Sequence, residues 1–151
     1  AVLLDDIRSS EIARTLSPKL GANLYGYELV PRILWFRDNI PNVDSQTRKI
    51  FTTHSYVVHK LTGAYCLDPH TALAFGSIFD SSNFQWNSDQ LKEFNISANI
   101  LPPVQPPKTI AGRITREAAR ITGLKAGIPV LVGTGDTFIS ILTAICSCSI
   151  Y

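Results

Sequence analysis

The stretch Pro129-Val-Leu-Val-Gly-Thr-Gly-Asp136, followed at once by Thr137-Phe-Ile-Ser-Ile-Leu-Thr-Ala144, limits the architecture more than any other part of the chain. It predicts a short buried strand over Val130 to Val132, a glycine-rich turn, and a helix starting at or just after Asp136. Gly133 and Gly135 let the backbone turn sharply and leave space above the strand end, which makes them the candidate cofactor contacts. Asp136 then stands where a strand C-terminus meets a helix N-terminus, the usual ligand position in open α/β sheets. A lone carboxylate there has two available jobs. It can cap the helix, since Asp is a favoured N-cap residue, or it can act as a general base within a cleft. The local pattern leaves both open.

Composition narrows the rest. A chain of 151 residues has the length of one domain and can bury a core. A net charge of +2, with no Lys/Arg cluster, argues against nucleic acid as a partner. The three cysteines do not form a disulfide framework. Cys146 and Cys148, with no His or further Cys near them, read as thiols in a reducing compartment rather than as metal ligands, and no metal site is expected. The apolar run Ile128 to Tyr151 is broken by two glycines and Asp136, so its remainder is too short to span a membrane. No signal peptide is visible, which makes a cytoplasmic protein the expectation. The absence of Met, position 1 included, reads as a piece of a longer chain.

Along the chain, Ala1 to Leu4 reads as a buried strand, and Ser9 or Ser10 caps a helix through about Leu16 that Ser17-Pro18 closes. Gly21 to Tyr27 is a loop with two tyrosines. Pro31 opens a helix through Asn39, ended by Pro41, and a short helix from Asp44 or Ser45 reaches Phe51. Thr53 to Thr62 is helical and Gly63 terminates it; His54 and His59, five apart, do not share a face as metal ligands would. Ala64 to Leu67 is a strand leading into Asp68-Pro69-His70-Thr71, a second ligand candidate whose plain alternative is an Asx-Pro turn. Asn87 opens a capped helix through Phe94, and Leu101 to Pro107 is a proline-stiffened connector. Ile110 to Ile114 is strand-like, Thr115 caps the next helix, and Gly123 ends it. Alternating strands and helices argue an α/β architecture.

Five ordered segments resemble the FGGY carbohydrate kinases, the family of glycerol kinase, xylulokinase, ribulokinase and gluconate kinase. They are Asp6-Ile-Arg8; Pro31-Arg-Ile-Leu-Trp35; His59-Lys-Leu-Thr-Gly63 running into Asp68 and Ala72; Leu101-Pro-Pro103 ahead of Ile110-Ala-Gly112 and Thr122-Gly-Leu-Lys-Ala-Gly127; and Pro129 to Asp136. Each is weak alone, and the ordered set is specific. The chain departs from the pattern at Thr137, where many members carry Gln or Asn, and in the tail Cys146 to Tyr151.

The resemblance implies an actin-like, ribonuclease-H-like α/β fold, with a mixed sheet flanked by helices. This chain corresponds to the later part of the amino-terminal, sugar-binding domain. It also implies transfer of the γ-phosphoryl group of Mg-ATP to a hydroxyl of a sugar or polyol, a xylulose-like ketopentose first among them. By the resemblance Asp136 is the general base and Tyr27 a substrate-contacting tyrosine, while Asp68 is added as a further substrate-binding candidate from its strand-end position. The family's phosphate-binding hairpin and its second, ATP-binding domain have no counterpart in these 151 residues, so the expectation is that the fragment alone is inactive. The alternative is a non-catalytic actin-like module that works by binding or by self-association as a homo-oligomer.

Overall fold

The computed structural model describes residues 5–20 and 23–141. The order of elements is α1 (Ser10–Leu20), α2 (Leu29–Asn39), α3 (Pro41–Gln46), α4 (Thr53–Thr62), α5 (Pro69–Ala72), a 3-10 segment (Leu73–Ile78), β1 (Phe79–Asp80) and β2 (Gln85–Trp86). Then follow α6 (Ser88–Glu93), a 3-10 turn (Ala98–Ile100), β3 (Ile110–Arg113), α7 (Arg116–Thr122) and β4 (Pro129–Leu131). A last helix begins at residue 136 and is described to residue 141. The expected strand Ala1 to Leu4, and Cys146 and Cys148, lie outside the described residues.

The chain divides into two compact units, Ala1–Ile50 with Leu73–Leu101 and Phe51–Ala72 with Pro102–Tyr151. In the first, α2 packs against α1, α3 and the 3-10 segment, burying Ala13, Val30, Leu34, Phe75 and Ile78. Trp86 meets Phe75 and Phe79 edge-on, with ring centroids 5.0 and 5.4 Å away. The Asp6-Ile-Arg8 and Pro31-to-Trp35 segments come together here. Arg8 donates to Asp6 at 2.6 Å and lies over the Trp35 ring at 4.3 Å. Hydrogen bonds from the Arg8 side chain and backbone hold the Asp6 carboxyl down at about 2.

Three helices differ from expectation at their ends. α2 starts at Leu29 rather than at Pro31. α1 runs through Pro18 to Leu20, because the proline falls in the last turn and Ser17 ties that turn down, donating to Ala13 O and accepting from Leu24 N. α3 starts at Pro41 and stops at Gln46, with no helix reaching Phe51. Pro41 ends one helix and occupies the first position of the next, where a missing N–H costs nothing.

The second unit is built on α4, β3, β4 and α7. The Thr52 N–H bonds Ser55 Oγ at the start of α4, and Gly63 and Gly123 take left-handed positions after α4 and α7. Thr115 Oγ1 accepts from Ala118 N as the cap of α7. β3 and β4 pair antiparallel, since Ile114 and the Gly127–Ile128 turn bond each other and return the chain at the end it left. Among the described residues the strands form two separate antiparallel pairs rather than one mixed sheet. An isolated parallel bridge joins Leu67 and Val104, in which Leu67 N donates to Pro103 O and Gln105 N to Leu67 O. The proline-rich connector therefore pairs with the segment leading to Asp68. The register slips between Ile110 and Gly112. Ala111 then packs with Ala64 and Val130 against a core of Val58, Cys66 and Val132.

Expected burial of Val130 to Val132 holds only at Val132, which is 1% exposed. Leu131 is half exposed and faces its cross-strand partner Ile110, also half exposed, because α4 covers only one face of this two-stranded ladder. On the covered face the fit is tight. A Cβ on Gly112 would stand 2.8 Å from Thr62 Cβ. Gly112→Ala is therefore expected to destabilise the protein by about 1–3 kcal/mol through overpacking. Thermal denaturation checks this, and an unchanged midpoint would refute the close approach.

Candidate functional site

The two ligand candidates seen separately in the sequence meet in the second unit. α4 carries His54 in its first turn, the Leu67 bridge delivers Asp68, and the end of β4 delivers Gly133 to Asp136. Thr134, between the two glycines, donates from Oγ1 to Asp68 Oδ1 at 2.6 Å. The same Asp68 oxygen accepts from the backbone N–H groups of His70 and Thr71, both at 3.1 Å, so the Asx-type turn is present as well. His54 Nε2 lies 3.2 Å from Asp68 Oδ2, an ion-pair distance without the alignment of a full hydrogen bond. Around the same turn, the Thr71 hydroxyl lies 3.7 Å from where a Gly135 Cβ would stand, and His70 stacks on Phe138 with centroids 4.3 Å apart.

Asp68 is fully buried. The carboxylate of this substrate-binding candidate faces protein, answering the donors of the turn it organises. Burial by itself would raise its carboxyl, but the polar groups of His54, Thr134 and Thr71 outweigh burial and hold it well below the usual carboxylate range. A carboxyl depressed in the folded state contributes stability above its unfolded value near 4, and that stability is lost as pH falls through the folded value. The melting temperature should therefore fall as pH is lowered from about 5 towards 2, and Asp68→Asn should flatten that acid limb. Melts across this pH range check it, and an equally steep limb in the variant would rule out Asp68 as a source.

Asp136 is exposed and is the first residue of its helix rather than its cap. Gly135 takes the cap position, its carbonyl accepting from Ile139 N. The Asp136 carboxylate accepts the Thr137 N–H at 2.8 Å, one of the N–H groups that the first helical turn leaves without an internal partner. Gly133 has φ +74°, a left-handed conformation, with nothing within 4 Å of an added Cβ. The open space expected above the strand end is there. Its N–H, however, is bonded to Pro107 O, so that amide is not available to a phosphate.

Tyr27 belongs to the first unit, half exposed and stacked parallel on Tyr25 at 5.3 Å. His59 uses Nδ1 on the carbonyls of Gly63 and Ala64. Among the described residues no group of three or more His, Cys, Asp or Glu could hold a metal ion, and no helix is long and apolar enough to cross a membrane. Sequence reasoning missed Thr134 and His54. Thr134 carried a usable signal, a hydroxyl inside a Gly-x-Gly turn, whereas nothing local marks His54 as a neighbour of Asp68.

Residues 1–143 match the N-terminal domain of the FGGY family of carbohydrate kinases. The autoinducer-2 kinase of Escherichia coli (strain K12) is 33% identical over 107 residues, which are 71% of this chain and 20% of that protein. The chain thus spans about a fifth of the length of the curated relatives it matches. Among solved structures, a xylulose kinase from Rhodospirillum rubrum superposes with a TM-score of 0.76 at 23% identity, covering 95% of this chain and 30% of that one. Plasmodium falciparum glycerol kinase with ADP gives 0.77 at 22%, covering 91% and 29%. At these identities the structural likeness is one of fold.

Proposed function

We propose that this chain, which belongs to the FGGY family of carbohydrate kinases, supplies the proton-accepting half of a sugar kinase site, with Asp136 as the general base. The observation that carries this reading is the placement of Asp136: an exposed carboxylate at the first position of a helix, on a turn anchored to buried Asp68. A sugar hydroxyl is a poor nucleophile until its proton has somewhere to go. A carboxylate within hydrogen-bond reach takes that proton as the oxygen–phosphorus bond forms and the bond to the leaving oxygen breaks. Mg-ATP supplies the phosphoryl group when bound. The Gly133 amide is already committed to Pro107 O, so the nucleotide phosphates are assigned to donors other than that amide.

The substrate is proposed as a sugar or polyol, with a ketopentose such as xylulose first and Tyr27 as a contact. Relatives named for autoinducer-2 and neighbours named for xylulose and glycerol define the panel to test. The experiment is an ATP-consumption assay of the full-length protein that carries this chain, with D-xylulose, glycerol, D-gluconate and autoinducer-2, beside its Asp136→Asn variant. Turnover of one substrate that disappears in the variant supports the reading, and no turnover of any would overturn it. The exposed apolar residues Ile110, Ile121, Leu124, Ile128 and Leu131 favour a second reading, a self-associating module without catalysis, in which Asp136→Asn changes nothing.

A further inference from the structure

We infer that Asp68 and Thr134 are positioning residues for Asp136, fixing the turn that aims its carboxylate; this rests on the proposed role of Asp136 as base. Between Val132, buried in the core, and the helix that starts at residue 136, the chain has only three residues, two of them glycine. Gly133 is pinned from its backbone by Pro107. Thr134 has the only side chain beyond hydrogen in that span, and it is bonded at 2.6 Å to a carboxylate with no exposure to water. Asp68 is itself held by the His70 and Thr71 amides and flanked by His54. The bond therefore joins the flexible part of the turn to a rigid, fully enclosed acceptor two residues from the reacting carboxylate. Removing the hydroxyl leaves the fold around Val132 in place but frees the glycines to re-aim Asp136. A displacement on the order of 1 Å at a reacting group costs about 100-fold in rate.

The test compares Thr134→Val, which keeps the side-chain shape but loses the donor, with Thr134→Ser, which keeps the donor. Both are made in the full-length protein carrying this chain and assayed with Mg-ATP and whichever of D-xylulose, glycerol, D-gluconate or autoinducer-2 it phosphorylates. Thr134→Val is expected to lower kcat about 100-fold with KM nearly unchanged and helix content intact by circular dichroism, while Thr134→Ser keeps most of the rate. If Thr134→Val does not fold, Thr134→Ala, which asks for no repacking, carries the same comparison. A purely structural hydroxyl would lower stability without separating kcat from KM. Wild-type kcat in Thr134→Val beside an inactive Asp136→Asn overturns the positioning role and leaves the base standing. An active Asp136→Asn, or no turnover of any substrate, overturns the base and the positioning role with it.

Discussion

Asp136→Asn is expected to lower phosphoryl transfer by the full-length protein by about 10²–10⁴-fold, the range associated with losing a general base. Asn has nearly the same size, and its carbonyl can still accept the Thr137 N–H that Asp136 Oδ1 accepts at 2.8 Å. The residue is exposed, so folding should change by no more than about 0.5 kcal/mol. Only the ability to take a proton is lost. Steady-state rates at saturating substrate, with a melting curve on the same preparation, separate the chemical effect from unfolding. A variant that keeps more than about a tenth of the wild-type rate would mean the proton leaves by another route, since general bases contribute at least about 10²-fold.

Asp68→Ala should have the largest effect on stability, about 3–5 kcal/mol, as expected for breaking a buried, charged, hydrogen-bonded group. Its carboxylate is the acceptor for Thr134 Oγ1 and for the His70 and Thr71 amides, and alanine leaves all three without it in a site closed to water. For a chain of this length that loss corresponds to a fall of about 6–20 °C in melting temperature. Calorimetry or chemical denaturation at neutral pH measures it, and a loss below about 1 kcal/mol would show that the network around Asp68 is not a stabilising one. The two aspartates thus predict opposite phenotypes: one costs activity without stability, the other stability first.

What could be read from the sequence was whatever a few neighbouring residues decide among themselves. The turn at Gly133, the left-handed ends at Gly63 and Gly123, the Thr115 cap and the helix opened by Asn87 all depend on contacts within about four positions. The family resemblance supplied the fold, because five such local signals in order carry information that none holds alone. The meeting of Asp68 with Thr134 was not legible, since no local preference says which distant hydroxyl a buried carboxylate will find. The same holds for His54 and for the slip at Ala111, which follows from how β3 settles on α4 rather than from any turn signal. The exposure of Leu131 was misjudged for a related reason: an apolar residue in a strand is buried only where another layer covers it.

The Asp68–Thr134 bond joins residues 66 positions apart, and this separation has a consequence for how the protein is made. During translation the carboxylate leaves the ribosome well before the hydroxyl that completes its surroundings. At about 5–20 residues per second, the interval is about 3–13 s. Through that interval water takes the place of the Thr134 hydroxyl on the Asp68 carboxylate, which can be buried at low cost only once that hydroxyl is available. The second unit is consequently completed only after residues 73–101 of the first have been synthesised, and the Asp68–Thr134 contact closes later than the local turn that Asp68 organises.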